Sequence, residues 1–244
     1  MKKKRILIFI PAYNVEAKII SVIKRIPKNI FKYYYIKILI IEDHSTDNTL
    51  KVIKKFVQNK PIKINTYLIV NKKNLKYGGV QKIAFKYAIK NNFEYVVMLH
   101  GDGQYSPECI SSLIKPLIAG KYDAVFGSRM MRSFDALKGG MPIYKYLGNI
   151  ILTSIQNLIL SSNISEFHSG YRSYKVSSLK KVKFKDNTNY FHFDTEIIIQ
   201  FLKRKFIIKE IPIPTRYGDE VSHLKSIPYG FNIILSTILS KFKK

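Results

Sequence analysis

The chain has 244 residues, 46% of them apolar, and a formal net charge of +26. That length and apolar content suit one large folded domain or a domain with an extension, and exclude an intrinsically disordered chain. The lone cysteine, Cys109, excludes an internal disulfide and fits a reducing compartment.

The charge attracts nucleic acid, anionic membranes or phosphorylated substrates. It is mostly lysine, in a chain also rich in Ile, Asn and Tyr, so much of it reads as compositional bias spread over solvated faces. No zinc-ligand spacing, RNA-reading aromatic signature, helix-turn-helix, repeat or low-complexity linker accompanies it, which leaves nucleic-acid binding as a remote alternative.

The opening MKKKRILIFIPAYN has a basic head, but only five apolar residues, Ile6 to Ile10, precede Pro11. That is too short for a signal-peptide core, so Arg5 to Ile10 is predicted as a first strand. Asn14 is placed as the cap of a helix whose apolar face is Ile19, Ile20, Ile23 and Ile26, stopped by Pro27. A second strand, Tyr35 to Ile41, ends in Glu42-Asp43-His44-Ser45-Thr46-Asp47-Asn48-Thr49. A third, Ile62 to Val70, leads through Asn74-Leu75-Lys76-Tyr77-Gly78-Gly79 into a helix from Val80 to Lys90. The fourth, Tyr95 to Leu99, runs into His100-Gly101-Asp102-Gly103-Gln104-Tyr105-Ser106, with Pro107 and Glu108 starting the next helix. The fifth, Asp123 to Phe126, ends at Gly127-Ser128-Arg129. This alternation predicts an α/β fold with a mostly parallel central sheet and right-handed crossovers. Each strand delivers a polar cluster to the same carboxyl edge, where open sheets of this kind hold their ligands.

The clusters suggest one chemistry. Asp102 and the Gln104 amide, two residues apart, suit a hard cation such as Mg²⁺ that keeps substrate phosphates as further ligands. The alternative is a strand-end turn in which Asp102 only caps a helix. Glu42 and Asp43 can accept hydrogen bonds from a nucleobase or ribose, and Arg129 offers a forked donor to a diphosphate. The chain lacks GxxxxGK[ST] and has no GxGxxG after its first strand, which argues against a P-loop hydrolase and a dinucleotide enzyme. Cys109 has no evident base and Ser45 lies in no nucleophile elbow, so both read as structural.

Pro11 to Asn14, Glu42 to Thr49, His100 to Glu108, Gly127 to Arg129 and His168-Ser169-Gly170-Tyr171-Arg172, in this order, resemble family 2 glycosyltransferases of GT-A fold. The likeness, from Ile6 to about Lys225, is to the branch with dolichol-phosphate mannose synthase and bacterial polyprenyl-phosphate glycosyltransferases. The resemblance implies a UDP- or GDP-linked nucleotide-sugar donor, a divalent cation (Mg²⁺ or Mn²⁺) and inversion at the anomeric carbon. It places Pro11, Tyr13 and Glu42 around the nucleoside, with Asp43 beside them. Glu16 stands one step beyond the family's usual acid, which is Val15 here. The family's aspartate-x-aspartate motif reads His100-Gly101-Asp102: Asp102 is the expected metal ligand, assisted by Gln104, and His100 is open to ribose, metal or an ordinary loop hydrogen bond. Arg129 is expected on the diphosphate, and Arg216, in Arg216-Tyr217-Gly218, in a late loop over the donor. Glu166 stands at the family's aspartate ahead of Ser169 to Arg172, and Phe191 to Glu196 resembles the acidic acceptor-side segment.

The acceptor decides whether a base is needed. A lipid phosphate is already anionic, whereas a sugar hydroxyl needs a carboxylate, for which Asp194 is preferred over Glu196. Both acids also suit an ordinary helix start. Ile143 to Leu160 and the stretch from Phe231 each carry a helical apolar stripe, without the ~20-residue apolar run of a membrane span. Each stripe packs on the protein's own core or lies in a membrane interface, with the interface favoured for the C-terminal one, which ends in lysines.

The expected organisation is a glycosyltransferase domain over residues 1–225, with a donor half (1–130) and an acceptor half (131–225), followed by an amphipathic helix at 226–244. The expected enzyme moves sugar to polyprenyl phosphate at the cytoplasmic face of a membrane, as a peripheral protein that does not bind nucleic acid. The alternative is a same-fold enzyme glycosylating a sugar hydroxyl in surface-polysaccharide synthesis.

Overall fold

Seven strands form one sheet in a computed structural model that describes residues 3–59, 65–132, 134–215, 217 and 226–242. They are β1 (Arg5–Ala12), β2 (Tyr35–Glu42), β3 (Asn65–Val70), β4 (Tyr95–Met98), β5 (Ala124–Ser128), β6 (Arg172–Lys175) and β7 (Ile208–Pro212). The spatial order is β3-β2-β1-β4-β6-β5-β7. β1 runs parallel to β2 and β4, β2 to β3, and β5 to β7, while β6 is antiparallel to both its neighbours. The predicted mostly parallel sheet is therefore present. The early part of the expected third strand lies outside the described residues.

Successive side chains along a strand face opposite ways, so continuous apolar runs imply cover on both faces. Ile6, Ile8 and Ile10 of β1 face one layer, made by α1 (Ile19–Lys24), α3 (Thr49–Asn59) and α5 (Ile110–Ile118); α2 (Ile30–Tyr33) lies between α1 and β2. Leu7 and Phe9 face the other, made chiefly by α4 (Lys76–Lys90) and α9 (Phe193–Lys203). Register pairs Ala12 with Glu42 and Phe9 with Met98, so β1, β2 and β4 discharge Tyr13, Asp43 and His100 at one edge.

Two local expectations change. Asn14 does not cap α1, which begins only at Ile19. Asn14 has φ of 52°, and its side chain exchanges hydrogen bonds with Thr46, accepting from the backbone N–H at 2.9 Å, which staples β1's exit to β2's exit. α4 starts at Lys76, four residues before the predicted start, and runs through the glycine pair. A Cβ on Gly78 would lie 2.5 Å from the Thr188 carbonyl oxygen, so the glycine allows the helix to close on that loop.

The remaining helices are α6 (Asp135–Lys138), α7 (Ile143–Leu160), α8 (Val176–Leu179) and α10 (Ser226–Phe242). α7 has the predicted bounds but is turned inside out. Asn149, Thr153 and Gln156 are buried, while Ile143 is 68% exposed and Leu158 83%. α10 packs on α7 and α9 in the same sense, burying Thr237 and Ser240 and leaving Phe231, Leu235, Leu239 and Phe242 exposed. The α7 stripe thus does not pack on the protein's core. Among the described residues no helix is long and apolar enough to cross a membrane.

Phe85 of α4 is fully buried and meets Phe9, Tyr174 and Phe184 edge-on, at centroid distances of 6.0, 5.5 and 5.4 Å. Phe85→Ala should cost about 3–5 kcal/mol in urea unfolding, from lost transfer energy and the cavity left.

Candidate active site

A cleft of ≈ 720 Å³ opens at the carboxyl edge of the sheet and runs to α7 and α10. Pro11, Tyr13 and Asp43 line it from the exits of β1 and β2, Asp102 and Gln104 from the loop after β4, and Tyr144, Gly148 and Tyr229 from α7 and α10. Asp43 accepts from Asn71 Nδ2 and the Leu75 N–H, both at 2.8 Å. Burial pushes its carboxyl up from the usual range, against the pull of those hydrogen bonds.

Asp102 follows β4 and accepts the Gln104 backbone N–H at 2.9 Å through Oδ1. Among the described residues its Oδ2 and the Gln104 side-chain amide make no hydrogen bond, and both residues line the cleft. Those oxygens suit a hard divalent cation. Among the described residues no group of three metal-binding side chains stands together, so substrate phosphates would supply the remaining ligands.

His100 packs edge-on to Tyr105 at 4.8 Å and tilted to Tyr77 at 5.9 Å. A Cβ on Gly170 would come within 2.6 Å of its Nε2, so glycine there makes room for the ring. Burial holds the imidazole neutral, with its pKa below the ordinary histidine value.

Two buried arginines build the floor. Arg129 forks onto Glu166 through Nε at 2.9 Å and through Nη2, and donates from Nη1 to Tyr217 Oη at 3.2 Å and from Nη2 to the His168 carbonyl. Burial opposes both charges of the pair, and their mutual attraction outweighs it: the Glu166 carboxyl is held low and the Arg129 guanidinium firmly charged. Among the described residues, four of its five N–H groups are engaged, and one on Nη1 is left for a ligand. Arg172 lies 3.6 Å from Asp194. Asp194 also accepts from Tyr77 Oη and Gln81 Nε2, each at 2.8 Å, so both its oxygens are engaged.

Of the residues expected at the site, Pro11, Tyr13, Asp43, His100, Gly101, Asp102, Gln104, Arg129 and Asp194 line this cleft. Glu16, Glu42 and Glu196 are not among its lining residues. Each instead satisfies a backbone N–H left unpaired by a turn or a helix start: Glu16 that of Asn48 at 2.8 Å, Glu42 that of Ser45 at 2.6 Å, and Glu196 that of Thr188 at 2.6 Å. Arg216 lies outside the described residues. Tyr105 and His168 fall inside motifs the sequence marked, though without an assigned role, whereas nothing in the spacing of Tyr144, Lys145, Tyr190 or Tyr229 marks them as site residues. Lys76 and Tyr77 were visible as the polar end of the third strand.

A cleft at the carboxyl edge of a seven-stranded sheet, lined by an acid, an amide and a buried arginine among aromatic side chains, suits transfer from a phosphorylated donor. The family model of glycosyl transferase family 2 matches residues 7–183, and the chain belongs to that family. A UDP-N-acetylglucosamine–dolichyl-phosphate N-acetylglucosaminyltransferase of Methanococcus voltae is 28% identical over 254 residues, 100% of this chain and 99% of that protein. A polyprenol monophosphomannose synthase of Mycolicibacterium smegmatis is 23% identical over 216 residues, 86% of this chain and 77% of that one. The glucosyl-3-phosphoglycerate synthase of Mycobacterium tuberculosis, solved with Mn²⁺, UDP and phosphoglyceric acid, matches with a TM-score of 0.68 at 13% identity. It covers 97% of this chain and 78% of that chain, and the shared fold is GT-A.

His168 makes a pH dependence testable. Its Nδ1 meets Tyr229 Oη at 3.3 Å, and burial lowers its pKa to about 4 from 6.5. Between those values the unfolded chain binds the proton and the folded one does not, so stability is full above pH 6.5 and falls as pH drops toward 4. The loss should be on the order of 2–3 kcal/mol, and His168→Gln should flatten it in denaturant titrations at pH 7 and pH 4.5.

Proposed function

We propose that this glycosyltransferase moves a sugar from a UDP- or GDP-linked donor to a polyprenyl phosphate, as a peripheral protein on the cytoplasmic face of a membrane. The observation that carries the reading is the course of the cleft. It joins the Asp102 loop to α7 and α10, the two helices that turn their apolar sides outward. The names of the M. voltae and M. smegmatis relatives support a lipid-phosphate acceptor. On this reading residues 1–130 serve the donor and 131–225 the acceptor, with 226–244 as the membrane-contacting helix.

Pro11, Tyr13 and Asp43 would hold the nucleoside, with the Asp43 carboxylate accepting from the base. Asp102 and Gln104 would hold a Mg²⁺ or Mn²⁺ ion, which supplies Lewis-acid stabilisation of the departing diphosphate. The free Nη1 hydrogen of Arg129 donates to a phosphate oxygen as negative charge collects there. The acceptor phosphate is already an anion, so attack on the anomeric carbon needs no side-chain base. This agrees with Asp194, whose oxygens are occupied by Tyr77 and Gln81 beside Arg172. Its carboxylate orients Tyr77 and neutralises Arg172.

Purified protein given Mg²⁺ or Mn²⁺ and a panel of UDP- and GDP-sugars should release nucleoside diphosphate with one donor, only when polyprenyl phosphate is added. Lipid-independent release, or transfer to a sugar hydroxyl alone, would refute the acceptor assignment. Asp102→Ala should lower turnover at least about 100-fold with the fold intact, and EDTA should do the same to the unaltered enzyme. A hydroxyl acceptor would make Asp194 the base, and its loss would then cost about 10²–10⁴-fold. Asp194→Asn is expected to fall short of that range.

A further inference from the structure

The stretch of cleft along α7 has a shape that the donor does not explain. Tyr144, Lys145, Gly148 and Leu152 line it from α7, and Tyr229 lines it from α10. At Gly148 a Cβ would meet no atom within 4 Å, so this helix carries a gap in its cleft-facing wall. On α10, Gly230 packs against α7, its Cβ position lying 3.7 Å from Leu152 Cδ1. The open space at Gly148 is a trough beside Tyr229 of α10.

That trough is continuous with the exposed apolar face. At roughly 100° per residue, Gly148 stands about 60° around α7 from Ile151 and about 100° from Leu147, both of which are exposed. Neither α7 nor α10 contains an acidic residue, so nothing on either helix repels an anionic headgroup. A path lined by glycine, leucine and tyrosine, leading from an apolar outer surface to the cleft that holds Asp102 and Arg129, fits a hydrocarbon chain that carries a phosphate at its inner end.

Resting on the lipid-phosphate acceptor argued above, we propose that the Gly148 trough between α7 and α10 is a lateral portal. The isoprenoid chain lies in it with its far end still in the bilayer, while the phosphate reaches the cleft beside Arg129. Gly148 is then a specificity-determining residue that reads the chain and not the sugar. A side chain there closes the trough, and the penalty grows with the length of chain that must pass.

The test compares the unaltered enzyme with Gly148→Leu and Gly148→Ala on two acceptors. One is a long-chain polyprenyl phosphate in phosphatidylglycerol vesicles, and the other is geranyl phosphate in solution. Gly148→Leu should lower the long-chain to short-chain ratio of kcat/KM by about tenfold, mostly through the long-chain KM, as displacing a few methylenes would. Gly148→Ala, whose Cβ enters open space, should lie between. Leu152→Phe, which narrows the trough one turn further along α7, should shift the ratio in the same direction and guards against misfolding of the first variant. An unchanged ratio in Gly148→Leu and Leu152→Phe would overturn the portal while leaving the acceptor assignment intact. An unaltered enzyme that glycosylates neither lipid phosphate would overturn both.

Discussion

The guanidinium of Arg172 holds the working edge of this molecule together. It opens the antiparallel strand β6 and is almost wholly buried. It donates to the carbonyls of Phe167 at 2.6 Å, Ser169 at 2.7 Å and Asp194 at 3.1 Å. A buried charge costs several kcal/mol unless it is matched and hydrogen-bonded. Meeting that cost here means bringing the 167–170 loop and the first turn of α9 to one point. Asp194 then passes the constraint to Tyr77 and Gln81 on α4. Arg129 does the same for Glu166, which in turn fixes Asn149 of α7 at 2.8 Å. The cleft is therefore framed by neutralised pairs, and the chain's large positive charge is not what shapes it.

How much of this was legible in the chain follows from where each residue's partners lie. β1, β2 and β4 are runs of apolar residues covered on both faces, and their ends and the polar groups they deliver could be located from sequence. β6 could not, because Arg-Ser-Tyr-Lys has no apolar run. It is a strand because Arg172 and Ser173 find carbonyls, the hydroxyl of Ser173 reaching Leu113 and Val125 at 3.1 Å. The same distinction divides the site. Asp43, Asp102 and Arg129 follow strand ends and obey the topology of open sheets. Glu16, Glu42 and Glu196 belong to equally acidic segments, but each is claimed by a backbone N–H at a turn or helix start, a local competition that motif order does not register. The tyrosines of the cleft arrive from helices and loops distant in sequence, and no spacing rule connects them.

Helices α7 and α10 show a different limit. The apolar stripe of α7 was read with the right residues, and periodicity says that such a stripe has one side in common. It does not say which side faces the protein. The deciding groups are the polar ones between the stripe's members: Asn149 is needed by Glu166, and Gln156 reaches Thr237 of α10 at 3.5 Å. Once those amides are spent inside, the isoleucines and leucines have nowhere to go but outward.

That inversion has an energetic consequence. Apart from Ile233, the buried seam is Asn, Thr, Gln and Ser, which gain little from water release, and the helices leave exposed most of the residues that would normally supply that gain. Contiguous apolar surface on this scale is uncommon on a protein that works surrounded by water alone. On the proposed peripheral placement, a lipid surface would resolve the imbalance, because each large side chain that leaves water there recovers about 1.5–3 kcal/mol that the fold has not used. The polar seam contributes the Gln156–Thr237 hydrogen bond between α7 and α10. A helix pair arranged in this way is suited to stand with one side on lipid and the other on a ligand cleft, and both helices line the cleft of this enzyme.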